Sequence, residues 1–495
     1  MSAKITIVGL GSGDVDQLTV GIFRKLEQAE KLFVRTKDHP ALEALQADFV
    51  TFDEVYESKN SFPKVYAEIA NRLLQAAIEG LDTEEIIYAV PGHPMVAEKT
   101  VQILREQGQA LNITVNVLGG ESFLDEAFTR LGFDPIEGFQ LLDAAQLNAQ
   151  LLQPQLHTVI GQVYDTFTAS DVKLSLMELY PDDFEVIVCH YLGVQGKEVI
   201  ERTPVYELDR TENYGNLSLI YVPRTEDEQI RNRTFARLHE IVGILRSPGG
   251  CPWDQEQTHQ SLRQNFIEET YEVLETIDDD DPEHMQEELG DVLLQIMLHA
   301  QIEEETGAFT VYDVIESLNQ KLIFRHPHVF GDREANDAQT ALQNWDAMKV
   351  EEKKLKGTLD VTASLLDGVP RDLPALLTAY KIQKKAAKVG FDWENVEGAF
   401  AKMDEELLEL KEAVREGHDA LDQQLELGDV LFCAVNIARF IHADPEQSLA
   451  LVNRKFKHRF QYIEQALHTQ GKDIRSMTLV ELDQLWDEAK LQNKG

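Results

Sequence analysis

Short apolar runs rich in β-branched residues punctuate residues 1–223, and the rest of the chain follows a different pattern. ITIVGL, KLFVRT, EIIYAV, ITVNVL, EVIVCHYL and LSLIYV read as strands. SFPKVYAEIANRLLQAAIEG, at residues 61–80, repeats its apolar positions at helical intervals and reads as a helix between two of them. Strands alternating with helices predict an α/β domain. After PRTEDE at 223–228 the periodicity is helical, with one break at GTLDVTASLLDGVPRDLP. The pattern predicts an α/β domain over 1–228 and two all-α domains over 229–361 and 362–495, in line with a length of 495 residues.

The two helical segments repeat an acidic formula. EETYE followed by ELGD spans 268–291, and EELLE followed by ELGD spans 405–429. Glu269 and Glu272 lie three apart, as do Glu288 and Asp291; Glu406 with Glu409 and Glu426 with Asp429 repeat the step. A three-residue step sets both side chains on one helix face, so two antiparallel helices would converge four carboxylates. Four such charges repel unless a hard divalent cation neutralises them, and oxygen ligands without sulfur suit Mg²⁺ completed by water and substrate phosphate. A lone ExxE is ordinarily a solvated face. Recurrence of the whole formula favours the metal reading. Leu289, Val292, Leu293 and Ile296 accompany the first ELGD, and Leu427, Val430, Leu431 and Val435 the second, so the carboxylates are expected to be half buried.

A basic element follows each ELGD helix in the same spacing: Asn319, Lys321 and Arg325, then Asn453, Lys455 and Arg459. Such pairs are usually exposed and solvated, but these recur in register with the carboxylates. Lys381, Lys384, Lys385 and Lys388 form a further stripe at helical spacing, placed to face phosphates. Carboxylates, Mg²⁺ and neighbouring cations are the parts of phosphoryl transfer or phosphoanhydride hydrolysis, with Glu268 or Glu405 a candidate to orient water. Trp393 and Phe391 in GFDW, and Trp253 in CPWD, are candidates either for base stacking or for core packing.

GCPWDQEQTHQSLRQNFIEETYEVLE, EELGDVLLQIMLHA, RHPHVFG, KIQKKAAKVGFDW, DEELLELKEA, LELGDVLF and NRKFKHRF resemble the tandem MazG family of nucleoside triphosphate pyrophosphohydrolases over residues 235–490. The resemblance implies an all-α, Mg²⁺-dependent and typically dimeric enzyme that cuts between the α and β phosphates. Its metal ligands would be Glu269, Glu272, Glu288 and Asp291 in one copy, Glu406, Glu409, Glu426 and Asp429 in the other. In similar tandem proteins the second copy tends to be catalytic. That copy's candidate catalytic groups are Glu405, Glu406, Glu409, Lys455 and Arg459. Candidates for substrate binding are the four lysines of the stripe, Trp393, Asn453, Lys455 and Arg459, with Lys321 and Arg325 in copy one.

In the first domain VGLGSGD, at 8–14, follows a strand, and VPGHPMVAE, at 90–98, follows another. GxGxG is not the dinucleotide fingerprint, so the first loop is either a connector or a ligand loop. With LGGESFLDEAF these loops resemble the tetrapyrrole methylase family over residues 3–222, whose members bind S-adenosylmethionine between two α/β halves. The family's usual GDP loop reads GHP here, with His93 in place of the aspartate. The resemblance extends to fold and to S-adenosylmethionine as a candidate cofactor, held by Gly9, Gly11, Gly13, Asp14, Pro91, Gly92, His93, Pro94 and Ser122, with Gly119 and Gly120 beside it. It does not extend to a tetrapyrrole substrate. His93 is open to ligand contact or to a structural role. The whole chain thus reads as a tetrapyrrole-methylase-like α/β domain followed by two MazG-type helical domains, an order similar to a bacterial fusion of the two families.

Charge narrows the partners. Asp and Glu number 87 against 46 Lys and Arg, a net charge of −41 that disfavours nucleic acid and anionic membranes. Asp278 to Asp281 read as a solvated turn, with Ca²⁺ the alternative. Cys189, Cys251 and Cys433 are too far apart in sequence for a CxxC pair, and neither an export signal nor a long apolar span is evident, so a cytoplasmic protein is expected. The leading expectation is a pyrophosphohydrolase acting as a homodimer on nucleoside triphosphates. The alternatives are a methyltransferase with a nucleotide-sensing and dimerising helical module, and a non-catalytic Mg²⁺-nucleotide-binding protein.

Overall fold

β1 (Lys4–Gly9) lies between two neighbours in a parallel sheet, and its alternating side chains feed two cores. Ile5 and Ile7 pack on one side with Ile69, Leu73 and Leu104, while Val8 and Leu10 pack on the other with Ile22, Leu26 and Leu42. Each such aliphatic side chain contributes roughly 1.5–3 kcal/mol on full burial. The computed structural model describes residues 3–492, except 60, 81–84, 216 and 358–363. The boundary expected at 361/362 lies outside the described residues.

The first sheet has the order β3-β2-β4-β1-β5, with β2 (Lys31–Val34), β3 (Phe49–Thr51), β4 (Ile86–Val90) and β5 (Thr114–Leu118) all parallel. A second, mixed sheet follows as β6-β7-β10-β8-β9, from β6 (Phe139–Asp143), β7 (His157–Gly161), β8 (Glu185–His190), β9 (Val199–Pro204) and β10 (Ser218–Val222). The six sequence-predicted strands are present. β3, β6, β7 and β9 were not anticipated: β3 is three residues long, and the edge strand β9 is mostly exposed VIERTP, without an apolar alternation.

Helices α1 (Val20–Glu27), α2 (Asp53–Ser58), α3 (Phe62–Glu79), α4 (Lys99–Ala110), α5 (Phe123–Leu131) and α6 (Thr166–Met177) belong to this α/β part. The expected helix is α3, which turns Val65, Ile69, Leu73 and Ala77 onto β1 and β4 at intervals of four. Then come α7 (Glu228–Arg231), α8 (Phe235–Arg246), α9 (Pro252–Glu256), α10 (His259–Asp279), α11 (Pro282–Thr306) and α12 (Val311–Arg325). They are followed by α13 (Pro327–Phe330), α14 (Ala338–Leu355), α15 (Ala375–Ala387), α16 (Val396–Glu416), α17 (Ala420–Phe440), α18 (Pro445–Thr469) and α19 (Leu479–Gln492). Among the described residues no strand follows Val222, and no helix is long and apolar enough to cross a membrane.

The chain divides into two units, the first ending at Glu316 and the second beginning at Ser317. In the first unit α8, α10 and α11 share a small core of Val242, Leu262, Met297 and Leu298. In the second, α18 and α19 close on Ile463, Leu467 and Leu485.

Candidate metal centres and the amino-terminal cavity

Two helical hairpins carry the acidic repeat. α10 turns into α11 through Asp280, left-handed at φ 54°, and Asp281, whose carboxylate accepts from the Glu283 and His284 amides. The expected turn is exposed at Asp278, Asp279 and Asp280, and its last two aspartates also cap the two helices. α16 turns into α17 through left-handed Gly417 and the capping Asp419. Each hairpin sets its two ExxE-type pairs facing each other.

In the first unit, carboxylate oxygens of Glu269, Glu272 and Glu288 lie within 4.8 Å of one another. Burial, the charge of Asp291 and that of Glu272 push the Glu269 carboxyl up, and burial with Glu272 does the same to Glu288. In the second unit the triad is Glu406, Glu426 and Asp429, which takes both carboxylates of the ELGD helix where the first takes both of the EExxE helix. Glu409 flanks it, its carboxyl raised first by the charge of Glu406, then by burial and Glu426. Oxygen-only donors whose protons are held by mutual repulsion suit a hard divalent cation.

The expectation of uniform half-burial needs correction. Glu406 is buried, but Glu272, Glu409 and Asp429 are exposed. Several aliphatics beside them are exposed too, with Leu289 51% and Leu431 49% accessible, whereas Val435 is buried. A two-helix hairpin covers only one side of each helix, and the opposite apolar side is left bare.

Sequence reasoning missed Lys402. It precedes Glu405 by three and Glu406 by four, on the same face of α16, and its Nζ lies 2.9 Å from Glu405 and 2.7 Å from Glu406. These hydrogen bonds raise its own pKa, Glu406 contributing most.

The repeated arginines each meet a tryptophan. Arg325 lies 5.2 Å from the Trp345 ring centroid and pairs with Glu352 at 2.7 Å; Arg459 lies 5.4 Å from that of Trp486. Lys321 is half-buried and Asn319 exposed on α12, and Asn453 and Lys455 are exposed on α18. Among the described residues of the second unit no ion pair joins Lys455 or Arg459 to that unit's triad. In the lysine stripe, exposed Lys381 and Lys384 share α15, with the Lys384 ammonium 6.0 Å from the Tyr380 centroid. Lys385 donates to the Asp367 carbonyl, and Lys388, just past the helix, lies 3.6 Å from Asp346. The helix docks on α17 through Gln383, whose amide donates to the Phe432 carbonyl at 2.8 Å.

In GFDW, Phe391 and Trp393 are both exposed, and Trp393 rests on Gly398, where a Cβ would stand 2.3 Å from the indole. Asp392 between them is gripped by Arg439 through both carboxylate oxygens. Trp253 is exposed at the second position of α9.

The α/β part encloses a cavity of about 330 Å³ between its two sheets. The Gly92 amide donates to the Gly11 carbonyl at 2.7 Å, tying the two glycine loops together, and His39 Nε2 donates to the same oxygen at 3.1 Å. Gly11, Pro91, Gly92 and His93 line the cavity. The Met95 amide donates to His93 Nδ1, which leaves Nε2 as the proton-bearing nitrogen of the neutral ring.

The other nominated residues stand behind this wall. Gly9 is required because a Cβ there would fall 2.4 Å from the Gly92 carbonyl oxygen, and one on Gly13 would meet Val194 at 2.5 Å. Pro94 packs against Gly9. Asp14 caps the short turn at Val15–Gln17, and Ser122 caps α5 while donating to Asp125. Gly120 stacks its backbone on Gly9, and Gly119 faces His93.

The remaining lining carried no sequence signal. Arg35 pairs with Glu98 and donates to the Tyr56 hydroxyl at 3.0 Å; burial pushes the Glu98 carboxyl up against the pull of Arg35. Tyr164 donates to Gln162 at 2.7 Å, and burial holds its hydroxyl protonated, with a pKa of about 12. Ala97, Gln162 and Tyr191 all line the cavity with φ between 51° and 64°, a conformation that costs a non-glycine residue roughly 1–3 kcal/mol.

Known proteins match both parts. The profile of the Tetrapyrrole (Corrin/Porphyrin) Methylases matches residues 4–209, and that of the MazG nucleotide pyrophosphohydrolase domain matches 257–330. The uncharacterized protein YabN of Bacillus subtilis is 49% identical over 493 residues, covering 99% of each chain. The nucleoside triphosphate pyrophosphohydrolase/pyrophosphatase MazG of Thermotoga maritima is 44% identical over 52% of this chain and 95% of its own. The nucleoside triphosphate pyrophosphohydrolase of Escherichia coli K12 is 38% identical over 52% of this chain and 97% of its own. With both carboxylate hairpins in place and full-length likeness to YabN, the chain belongs to the MazG nucleotide pyrophosphohydrolase family, in the form that carries a tetrapyrrole methylase domain ahead of the helical half.

Proposed function

We propose that the helical half hydrolyses nucleoside triphosphates to the monophosphate and diphosphate with Mg²⁺. The observation that carries this reading is the pair of oxygen-only carboxylate triads built on matching hairpins. Glu269, Glu272, Glu288 and Asp291 would hold the cation in one copy and Glu406, Glu409, Glu426 and Asp429 in the other. Bound there, it would neutralise and polarise the phosphates. Glu405 borders the second site and orients water; Lys455, Arg459, Asn453, Trp393 and the lysines of α15 bind substrate around it. The domains divide as 1–228, 229–361 and 362–495, and chemistry belongs to the last. A diphosphate-release assay with and without Mg²⁺ tests this: Glu409→Gln and Asp429→Asn should abolish release and Glu272→Gln should not. Loss with Glu272→Gln alone would move chemistry to the first copy.

A second reading concerns the cavity. Three left-handed non-glycine residues around one pocket support a binding role, and S-adenosylmethionine fits a family that methylates. Gly11, Pro91, Gly92 and His93 would contact it, with Gly9, Gly13, Asp14, Pro94 and Ser122 setting the loops. Calorimetric titration with S-adenosylmethionine checks this, and an absence of heat together with an unchanged melting temperature would leave the domain a scaffold.

The bare aliphatic sides of the hairpins support a homodimer. Three free cysteines among the described residues and a net charge of −41 support a reducing cytoplasm, without nucleic acid or membrane as partner.

A further inference from the structure

The two carboxylate hairpins differ in the residue one turn before the first triad glutamate. EETYE and EELLE align Glu269 with Glu406, so Lys402, four residues before Glu406, aligns with Asn265. Glu405, held by Lys402 at 2.9 Å, aligns with Glu268, whose partner is the neutral amide of Gln264 at 2.8 Å. Lys402 also reaches Glu406, the most buried member of its triad, its side chain only 9% exposed. The ammonium therefore stands on a triad carboxylate from inside the same helix, tethered three and four residues away.

An ammonium and a divalent cation draw on the same carboxylate charge. With both present a few ångströms apart they repel, and even at water-like screening this weakens the metal by roughly tenfold. Asn265 imposes no such charge on the first triad.

We propose that Lys402 is a built-in counter-ion that sets the two copies to different metal affinities. The first copy loads from the free cation, and the second loads at higher concentration unless further anionic charge, such as a triphosphate, shares the ammonium. The inference rests on reading both triads as divalent-cation sites.

Mn²⁺ titration of the full chain, followed by paramagnetic resonance of the free ion, tests it without reference to turnover. Two affinity classes are expected, the tighter abolished by Glu272→Gln. Lys402→Met should tighten the weaker class about tenfold, and Asn265→Lys should weaken the tighter class by a similar factor. The two variants act in opposite directions, so a general loss of folding cannot mimic the result. Two classes that neither variant moves, or a weaker class that Lys402→Met weakens further, would overturn the role of Lys402 and leave the metal reading intact. No Mn²⁺ bound at either copy would overturn the metal reading itself.

Discussion

Arg459 lays its guanidinium 5.4 Å from the ring centroid of Trp486, joining α18 to α19, and Arg325 meets Trp345 in the same way across α12 and α14. The repeat thus extends past the acidic formula to a cation–π clasp. Trp486→Phe should lower the stability of the second unit by roughly 0.5–1 kcal/mol, and Trp486→Ala by about 3 kcal/mol as packing around Leu485 is lost. Urea denaturation would measure both. Equal midpoints for wild type and Trp486→Ala would exclude the clasp as a structural element.

Gly9→Ala puts a methyl group 2.4 Å from a backbone oxygen that cannot swing aside. Separating the two glycine loops should cost roughly 1–3 kcal/mol and release the Gly92 to Gly11 hydrogen bond. The first unit should melt earlier and lose cavity ligands, whereas the diphosphate-release activity should persist. An unchanged melting profile would contradict the close approach of the loops.

Glu269, Glu288 and Glu409 have carboxyls raised above the ordinary value of 4.5. A carboxyl raised on folding favours the folded state below its unfolded pKa, and that advantage is lost as pH rises through the folded value. Metal-free protein should therefore gain stability from these groups as pH falls from neutrality into the carboxyl range. Added Mg²⁺ should raise the melting temperature more at neutral pH than in that range. Scanning calorimetry with chelator or Mg²⁺ at both pH values would show it; an equal Mg²⁺ effect would refute the assignment.

Leu293 on α11 and Leu431 on α17 are exposed leucines in matching positions of the two hairpins. Leu293→Glu and Leu431→Glu should each shift the protein toward monomer in light scattering after size exclusion, with little effect on helix content. Dimers that tolerate both changes would place the interface elsewhere.

The acidic formula was legible because carboxylates three apart on a helix need only local geometry to share a face. Strands β1, β4 and β10 were legible because their apolar runs are buried throughout. β9 was not, since an edge strand with one solvated side carries charges where a pattern would need valines. Arg35 and Glu98 gave no signal because they are 63 residues apart and meet only through the fold. Lys402 was overlooked although its spacing to Glu406 is plain: a lysine one turn before a glutamate is the commonest surface pair on any helix. Ser122 and Asp14 were named through the family resemblance, and the cap that each supplies at the start of a helical turn carries no distinct signal beyond an Asp or Ser in a loop.

Ala97, Gln162 and Tyr191 reach the cavity from different segments of the chain, and each is locked in a backbone twist that relaxes as soon as its surroundings loosen. A guest entering the cavity meets walls that are already ordered, so the entropy loss that usually blunts small-molecule affinity falls on folding instead of on binding. Walls held in this way favour selection by shape over adjustment to each guest.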